Sequence, residues 1–66
     1  MDWEKVIEAW DRFRSALSDY EEALRSEMGD ALRAHEMQRL IQLQQMEKRL
    51  RRLQTALHKV EKLLSL

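Results

Sequence analysis

The sequence predicts an all-α fold, an antiparallel two-helix hairpin of the coiled-coil kind that completes its core with a partner or as a dimeric four-helix bundle. Three observations predict it. The 66 residues include no proline and one glycine, and good helix formers such as Leu, Glu and Arg dominate. Apolar residues recur every three or four positions in both halves of the chain. The glycine, Gly29, falls between the halves. A chain of this length forms one domain, 1–66.

The first helix is predicted over about residues 2–28. Its apolar residues are separated alternately by three and four positions, which is the a/d pattern of a heptad repeat. Asp2 is the expected N-cap, and Glu4 suits the positive end of the helix dipole. The apolar positions that this helix contributes to the predicted hairpin core are Trp3, Val6, Trp10, Phe13, Leu17, Tyr20 and Leu24.

Gly29 and Asp30 are predicted to form the turn. Glycine readily takes the left-handed conformation that ends a helix, and aspartate is a good N-cap for the next helix. The heptad frames of the two halves also disagree, and a turn removes that conflict. The alternative is one continuous helix, about 96 Å long at ~1.5 Å per residue, with Gly29 tolerated inside it.

The second helix is predicted over about residues 31–65. Folding back at the glycine pairs residues whose numbers sum to about 59–61, so that Leu17 meets Leu43 and the helix 2 end overshoots by roughly two turns. Arg14 and Glu47 would then pair across the hairpin. The same rule matches Phe13 with Met46, Trp10 with Leu50, Val6 with Leu53 and Trp3 with Leu57. The core positions of this helix are Leu43, Met46, Leu50, Leu53 and Leu57.

Charge is divided unevenly along a chain of zero net charge. Residues 1–30 carry four basic and nine acidic side chains, a balance of −5, whereas residues 31–66 carry eight basic and three acidic ones, a balance of +5. The two halves therefore attract each other, within one chain or between chains. The strongest basic cluster is the run Lys48–Arg52, which either contacts an anionic partner or is a solvated helix face.

A two-helix hairpin cannot cover all of this apolar surface, and unmatched apolar surface usually marks a partner site. Three alanines at heptad spacing add a stripe where another helix can approach closely, although alanine is also simply a good helix former. The predicted partner is a helical subunit of another protein or a second copy of the chain. The predicted partner-binding residues are Ile7, Ala9, Ala16, Ala23, Met37, Ile41, Val60, Leu63 and Leu64, with Leu66 also left uncovered.

The sequence offers no constellation typical of an enzyme, and we expect no catalytic site, cofactor or metal. His35 and His58 are the only histidines, and neither has the i+4 companion of a helical metal site. Without cysteine the chain forms neither a disulfide nor a thiolate site. No apolar run is long enough for a membrane span. We expect a cytoplasmic protein, from a bacterium or a phage-infected host cell.

Several short segments resemble a known family. They are 12–17, 24–25, 29–31 and the helix start Met37-Gln38-Arg39-Leu40 with the Gln- and Leu-rich stretch after it, and together they cover roughly residues 10–60. This pattern resembles the small co-chaperone of the type III secretion needle subunit, although that family usually has Tyr-Gln at the position of Met37-Gln38. The resemblance implies a helical hairpin that stabilises a larger helical-repeat chaperone, which keeps the needle protein monomeric before export.

The leading hypothesis is therefore a protein-binding adaptor or co-chaperone. The first alternative is a self-associating four-helix bundle, acting as a regulator or as a phage-encoded inhibitor. The second is a helical regulator that binds RNA or DNA through the run Lys48–Arg52, which is less favoured because all aromatic residues lie in the acidic half, on the predicted core.

Overall fold

Two long helices make up nearly all of the chain. A computed structural model describes residues 2–64. Helix α1 spans Trp3–Arg33 and helix α2 spans Met37–Leu64, joined by residues 34–36. The helices pack against each other in a hairpin of 50 × 18 × 13 Å. The predicted all-α hairpin is confirmed. Within residues 2–64, neither helix has a stretch that is long and apolar enough to cross a bilayer.

The N-cap of α1 is the one predicted from the sequence. A side-chain oxygen of Asp2 accepts hydrogen bonds from the backbone N–H groups of Glu4, at 3.1 Å, and Lys5, at 3.4 Å. These donors have no partner inside the helix, so the cap satisfies them. The helix therefore starts where the sequence places it.

The turn lies at residues 34–36, and the prediction of a turn at 29–30 is wrong. Gly29 lies inside α1, and Asp30 pairs with Arg33 one turn further along the same helix. His35 takes the left-handed conformation instead, with φ 57°. The N–H of His35 bonds to the carbonyl of Leu32 at 3.2 Å, and that of Glu36 to the carbonyl of Ala31 at 2.9 Å. These two bonds form a Schellman motif, which satisfies the last carbonyls of α1.

Continuation of α1 past Gly29 has a physical reason. A glycine inside a helix costs only about 1 kcal/mol relative to alanine, and Ala31, Leu32 and Arg33 are all good helix formers. Ala31 also extends the heptad line of Leu17 and Leu24, and it is 1% exposed against α2. The extra turn therefore buries one more contact position at little cost.

Moving the turn changes every pairing between the helices. Trp10 meets Glu61, Glu21 meets Gln54 and Glu27 meets Arg39, so paired numbers sum to 66–75. The predicted sum of about 59–61 is wrong, and with it the pairing of Leu17 with Leu43 and its four companions. The predicted Arg14–Glu47 pair is also wrong: Arg14 Nε lies 3.0 Å from Glu61 Oε1, while Glu47 pairs with Arg51 in its own helix.

The corrected turn makes the helices almost equal in length. α1 has 31 residues and α2 has 28, so α2 does not overshoot its neighbour as predicted. Leu64 ends α2 near the level of Ile7, if the Trp10–Glu61 pairing is continued. Leu66, predicted to be uncovered, lies outside the described residues.

The covered core is a single line of contact along the hairpin. Leu24, Ala31 and Leu50 are buried in it. Half-buried side chains continue the line, towards the turn at Leu43 and towards the open end of the hairpin at Trp10, Leu17 and Leu57. We refer to these seven residues as the seam.

Candidate functional site

One side of the hairpin carries an apolar surface that neither helix covers. On α1, Val6, Phe13 and Tyr20 recur at heptad spacing, and on α2 the matching residues are spaced in the same way. Tyr20, Met46 and Leu53 line one shallow groove, which places the two sets on the same side. Each member is exposed by 38–43%. We call this set the apolar face, and it consists of Val6, Phe13, Tyr20, Met46, Leu53 and Val60.

All members except Val60 were predicted to lie in the hairpin core, and the structure corrects this. Trp3, at the free end of α1, is 49% exposed as well. The reason is geometric, because a 3–4 apolar pattern spreads over a stripe at least about 100° wide. One neighbouring helix covers only part of that stripe. Of the twelve predicted core residues, six therefore lie in the seam, five lie on the apolar face, and Trp3 lies at the free end of α1.

The opposite side of the seam is polar. Tyr20 follows the seam residue Leu17 by three positions, and Glu21 follows it by four. Because one helical turn takes 3.6 residues, these two side chains lie on opposite sides of the seam. The same holds on α2 for Leu53 and Gln54 relative to Leu57. A second groove runs along this side, and we call its polar lining the polar flank: Arg14, Ser18, Glu21, Gln54, His58 and Glu61.

Hydrogen bonds across the polar flank join the helices. Trp10 Nε1 donates to Glu61 Oε1 at 2.9 Å, and Arg14 Nε lies 3.0 Å from the same oxygen. Gln54 Nε2 donates to Glu21 Oε2 at 2.9 Å, and Glu21 also pairs with Arg25 at 2.6 Å. Among residues 2–64, no buried side-chain nitrogen or oxygen lacks a partner. Arg14, Glu21, Gln54 and Glu61 of the polar flank are thus partnered within the chain, whereas the apolar face has no covering element.

The chain exposes more surface than a compact protein of its mass. Its accessible area is 5648 Å². A folded monomer of 8.0 kDa is expected to expose about 4,450 Å². The radius of gyration is 15.4 Å, against about 11 Å for a compact chain of this length. The accessible area thus exceeds the expected value by roughly 1,200 Å². One partner of an ordinary protein interface contributes about 800 Å², which is less than this excess.

The residues predicted to bind a partner fall in different places. Ala9, Ala16 and Ala23 are exposed and follow the apolar residues of α1 by three positions, so they border the apolar face. Val60 belongs to that face, and Leu63, three residues on, is 85% exposed.

The other predicted contact residues lie elsewhere. Ile7 is half-buried on the heptad line of Arg14 and Glu21. Leu64 continues the heptad line of Leu50 and Leu57 at the end of α2, where it is exposed. Met37 and Ile41 are exposed at the turn end of α2, away from the heptad lines of the apolar face. The structure therefore brings Ala9, Ala16, Ala23, Val60 and Leu63 together with residues that had been predicted as core.

The two histidines lie in different parts of the hairpin. His35 lies in the turn and His58 in the polar flank. Within residues 2–64, no three His, Asp or Glu side chains are close enough together to hold a metal ion. In the run Lys48–Arg52, Arg51 pairs with Glu47 and Arg49 borders the groove of the apolar face. The feature that stands out is the apolar face.

The chain was compared with protein families, curated proteins and solved structures. No family model, no curated protein and no solved structure matches the chain.

Proposed function

We propose that this chain is a protein-binding module, a preformed helical hairpin that takes up helices of a protein partner on its apolar face. The observation that carries the proposal is the contrast between its two sides. Six large apolar side chains, at heptad spacing on both helices, remain 38–43% exposed on one side, while on the other side hydrogen bonds join the two helices. Soluble monomers rarely expose a continuous apolar patch of this kind unless it binds something.

The shape of the face favours helices as its ligand. Two antiparallel helices about 50 Å long present two apolar ridges with a shallow groove between them. Helices pack on such a surface by setting their own ridges into the groove, which is the packing of four-helix bundles. The adaptor or co-chaperone role implied by the family resemblance is one form of this proposal.

Site-specific photo-crosslinking tests the proposal in the cells that express the protein. A photoreactive benzoylphenylalanine replaces Leu53 on the apolar face, and in a matched variant it replaces Gln44, an exposed residue of the same helix on the side of the polar flank. We expect irradiation to give a discrete protein adduct from position 53 and little or none from position 44. Mass spectrometry of the cross-linked peptide then identifies the partner and shows whether the attached segment is amphipathic with helical periodicity.

Three outcomes would contradict the proposal. They are no adduct at position 53, equal adducts at positions 53 and 44, or an adduct that nuclease treatment removes. The last outcome would favour the nucleic-acid alternative. An adduct with a different protein and one with a second copy of this chain both support a protein-binding role, and they are told apart by the mass of the cross-linked peptide.

A further inference from the structure

We infer that the occupant of the apolar face is a second copy of this chain, packed face to face about a two-fold axis parallel to the helices, with both turns at the same end of a four-helix bundle. This inference rests on the proposed function, because it names the partner of the same face. Three observations carry it: the size of the face, the charges of the helices, and the height at which charged residues lie along them.

The face is large enough for a stable dimer. The hairpin measures 50 × 18 Å across its broad side, and that projection is about 900 Å², close to the ~800 Å² that each partner contributes to a standard interface. A two-fold dimer needs a surface complementary to itself. The large residues of the apolar face, at heptad spacing, form ridges. Beside them, the small side chains of Ala9, Ala16 and Ala23 leave space into which the ridges of a second copy can pack.

Charge selects between the two symmetric ways of stacking the hairpins. An axis parallel to the helices sets α1 of one copy against α2 of the other, whereas an axis perpendicular to them sets α1 on α1 and α2 on α2. α1 carries eight acidic and five basic residues, a balance of −3, and α2 carries two acidic and seven basic ones, a balance of +5. Only the parallel axis brings opposite charges together across the interface.

The position of the basic run strengthens this choice. Lys48–Arg52 lies at the middle of α2, which spans Met37–Leu64. With a perpendicular axis and full overlap of the hairpins, the middle of α2 faces itself, so Arg52 of each copy comes opposite Arg49 of the other. Like charges directly opposed across an interface oppose association. The parallel axis separates the two basic runs.

With the parallel axis, Arg52 instead meets an acidic residue. Rotation about an axis parallel to the helices leaves the position of each residue along the hairpin unchanged. A residue of α1 is therefore level with the same residue of α2 in the second copy as in its own chain. Asp19 and Arg52 have the same sum, 71, as the observed Trp10–Glu61 pair, and they lie within about one helical turn of the level set by the Glu21–Gln54 pair, whose sum is 75. By helical periodicity both flank the apolar face on its outer edges. Neither takes part in an ion pair among residues 2–64. Arg12 and Lys59 also come level, and this one pair of like charges opposes association. Glu8, one turn from Arg12 on the outer edge of α1, places a negative charge beside it.

A distance measurement on the purified full chain tests the geometry. Because the chain has no cysteine, Ala34→Cys gives a single attachment point for a spin label in the exposed turn. Sedimentation at tens of micromolar is expected to show a species of twice the 8.0 kDa chain. The two labels are expected about 20–25 Å apart, the ~10 Å between packed helix layers plus the label arms. A monomer, or a dimer with labels separated by about the 50 Å length of the hairpin, would overturn the inference.

Charge reversal tests the Asp19–Arg52 contact. Asp19→Arg and Arg52→Asp each place like charges at the contact, which occurs twice per dimer, and each is expected to weaken dimerisation about 10-fold or more. An equal mixture of the two variants forms mixed dimers with opposite charges at both contacts, so association is expected to recover. Unchanged dimerisation in the single variants, or no recovery on mixing, would contradict the predicted register.

Two controls keep these outcomes interpretable. Helical circular dichroism shows whether each variant folds, and recovery on mixing also excludes a folding defect as the cause of weak association. Failure of the inference is distinguishable from failure of the proposed function. A monomeric chain whose position 53 still crosslinks to another protein rejects the second copy but leaves the apolar face as a protein-binding site.

Discussion

Glu61 joins the two helices at the level of individual residues. One of its oxygens accepts from the Trp10 indole at 2.9 Å and lies 3.0 Å from Arg14 Nε, and its side chain is 14% exposed. A carboxylate with two donors, largely shielded from water, makes stronger hydrogen bonds than neutral pairs do. The carboxylate also fixes the register, because no other residue of α2 hydrogen-bonds to Trp10 within the described chain.

Glu61→Ala is expected to lower the free energy of unfolding by about 1–3 kcal/mol, because it leaves the Trp10 N–H without its acceptor in a partly buried place. Urea unfolding followed by circular dichroism, at one fixed protein concentration, measures the change. Glu47→Ala is the matched control: the same residue type on the same helix, paired with Arg51 one turn away. That variant should cost only about 0.3–0.5 kcal/mol. Equal losses in the two variants would show that the Trp10–Glu61 bond adds no stability of its own.

Among the structural elements, the turn is where residue type and structure disagree. His35 takes the left-handed conformation at the turn, whereas the one glycine, Gly29, lies inside helix α1. Histidine tolerates this conformation better than most residues, though less well than glycine. A Cβ at Gly29 would meet only the guanidinium of Arg33, at 3.6–4.0 Å, which is ordinary contact with the end of a flexible side chain. Nothing in the helix requires a glycine there.

Gly29→Ala is therefore expected to stabilise the protein by about 0.5–1 kcal/mol, since alanine loses less backbone entropy in a helix. For a chain of this size that corresponds to a rise in Tm of about 2–8 °C, measured by thermal circular dichroism. Ser26→Ala, at an exposed position of the same helix, should give a smaller gain because serine is a better helix former than glycine. A fall in Tm for Gly29→Ala would mean that the chain turns at Gly29 after all.

The two helices and their hairpin arrangement could be predicted from the sequence, but the position of the turn could not. The N-cap at Asp2, both heptad patterns and the hairpin follow from residue types and spacing. Gly29-Asp30 carries a stronger local stop signal than Ala34-His35, so local propensity indicates the wrong place. The heptad line through Leu17 and Leu24 continues to Ala31, and that signal favours the longer helix. The mispairing of the seam follows from the five-residue displacement of the turn. The residues of the apolar face are exposed for another reason, because one neighbouring helix covers only part of a 3–4 apolar stripe.

For the whole molecule, the main feature is a thin layer of two helices with two unlike sides. A layer 13 Å thick has no interior in which to bury side chains on both sides of the seam. Only Leu24, Ala31 and Leu50 are buried among the described residues. A chain of this size obtains only about 3–5 kcal/mol from its own core, and association is one way in which small folds gain more. Stability and binding are therefore expected to be coupled.

That coupling predicts a Tm that depends on protein concentration. Dissociation accompanies the unfolding of a dimer, so a tenfold rise in concentration adds about 1.4 kcal/mol per dimer and is expected to raise Tm by roughly 3–6 °C. Leu53→Ser, on the apolar face, should reduce the dependence, whereas Gln44→Ser, on the opposite side, should preserve it. A Tm that stays constant over a hundredfold range of concentration would show that the hairpin unfolds as a monomer.

The Schellman turn at residues 34–36 also has a consequence for how the chain folds. Contacts close to the turn, such as Glu27 with Arg39, close a loop of about a dozen residues, whereas Trp10 with Glu61 closes one of about fifty. Loop-closure entropy grows with loop length, so the hairpin is expected to zip from the turn towards the chain ends. Changes at His35 should then act mainly on the rate of folding, and changes at Glu61 mainly on the rate of unfolding.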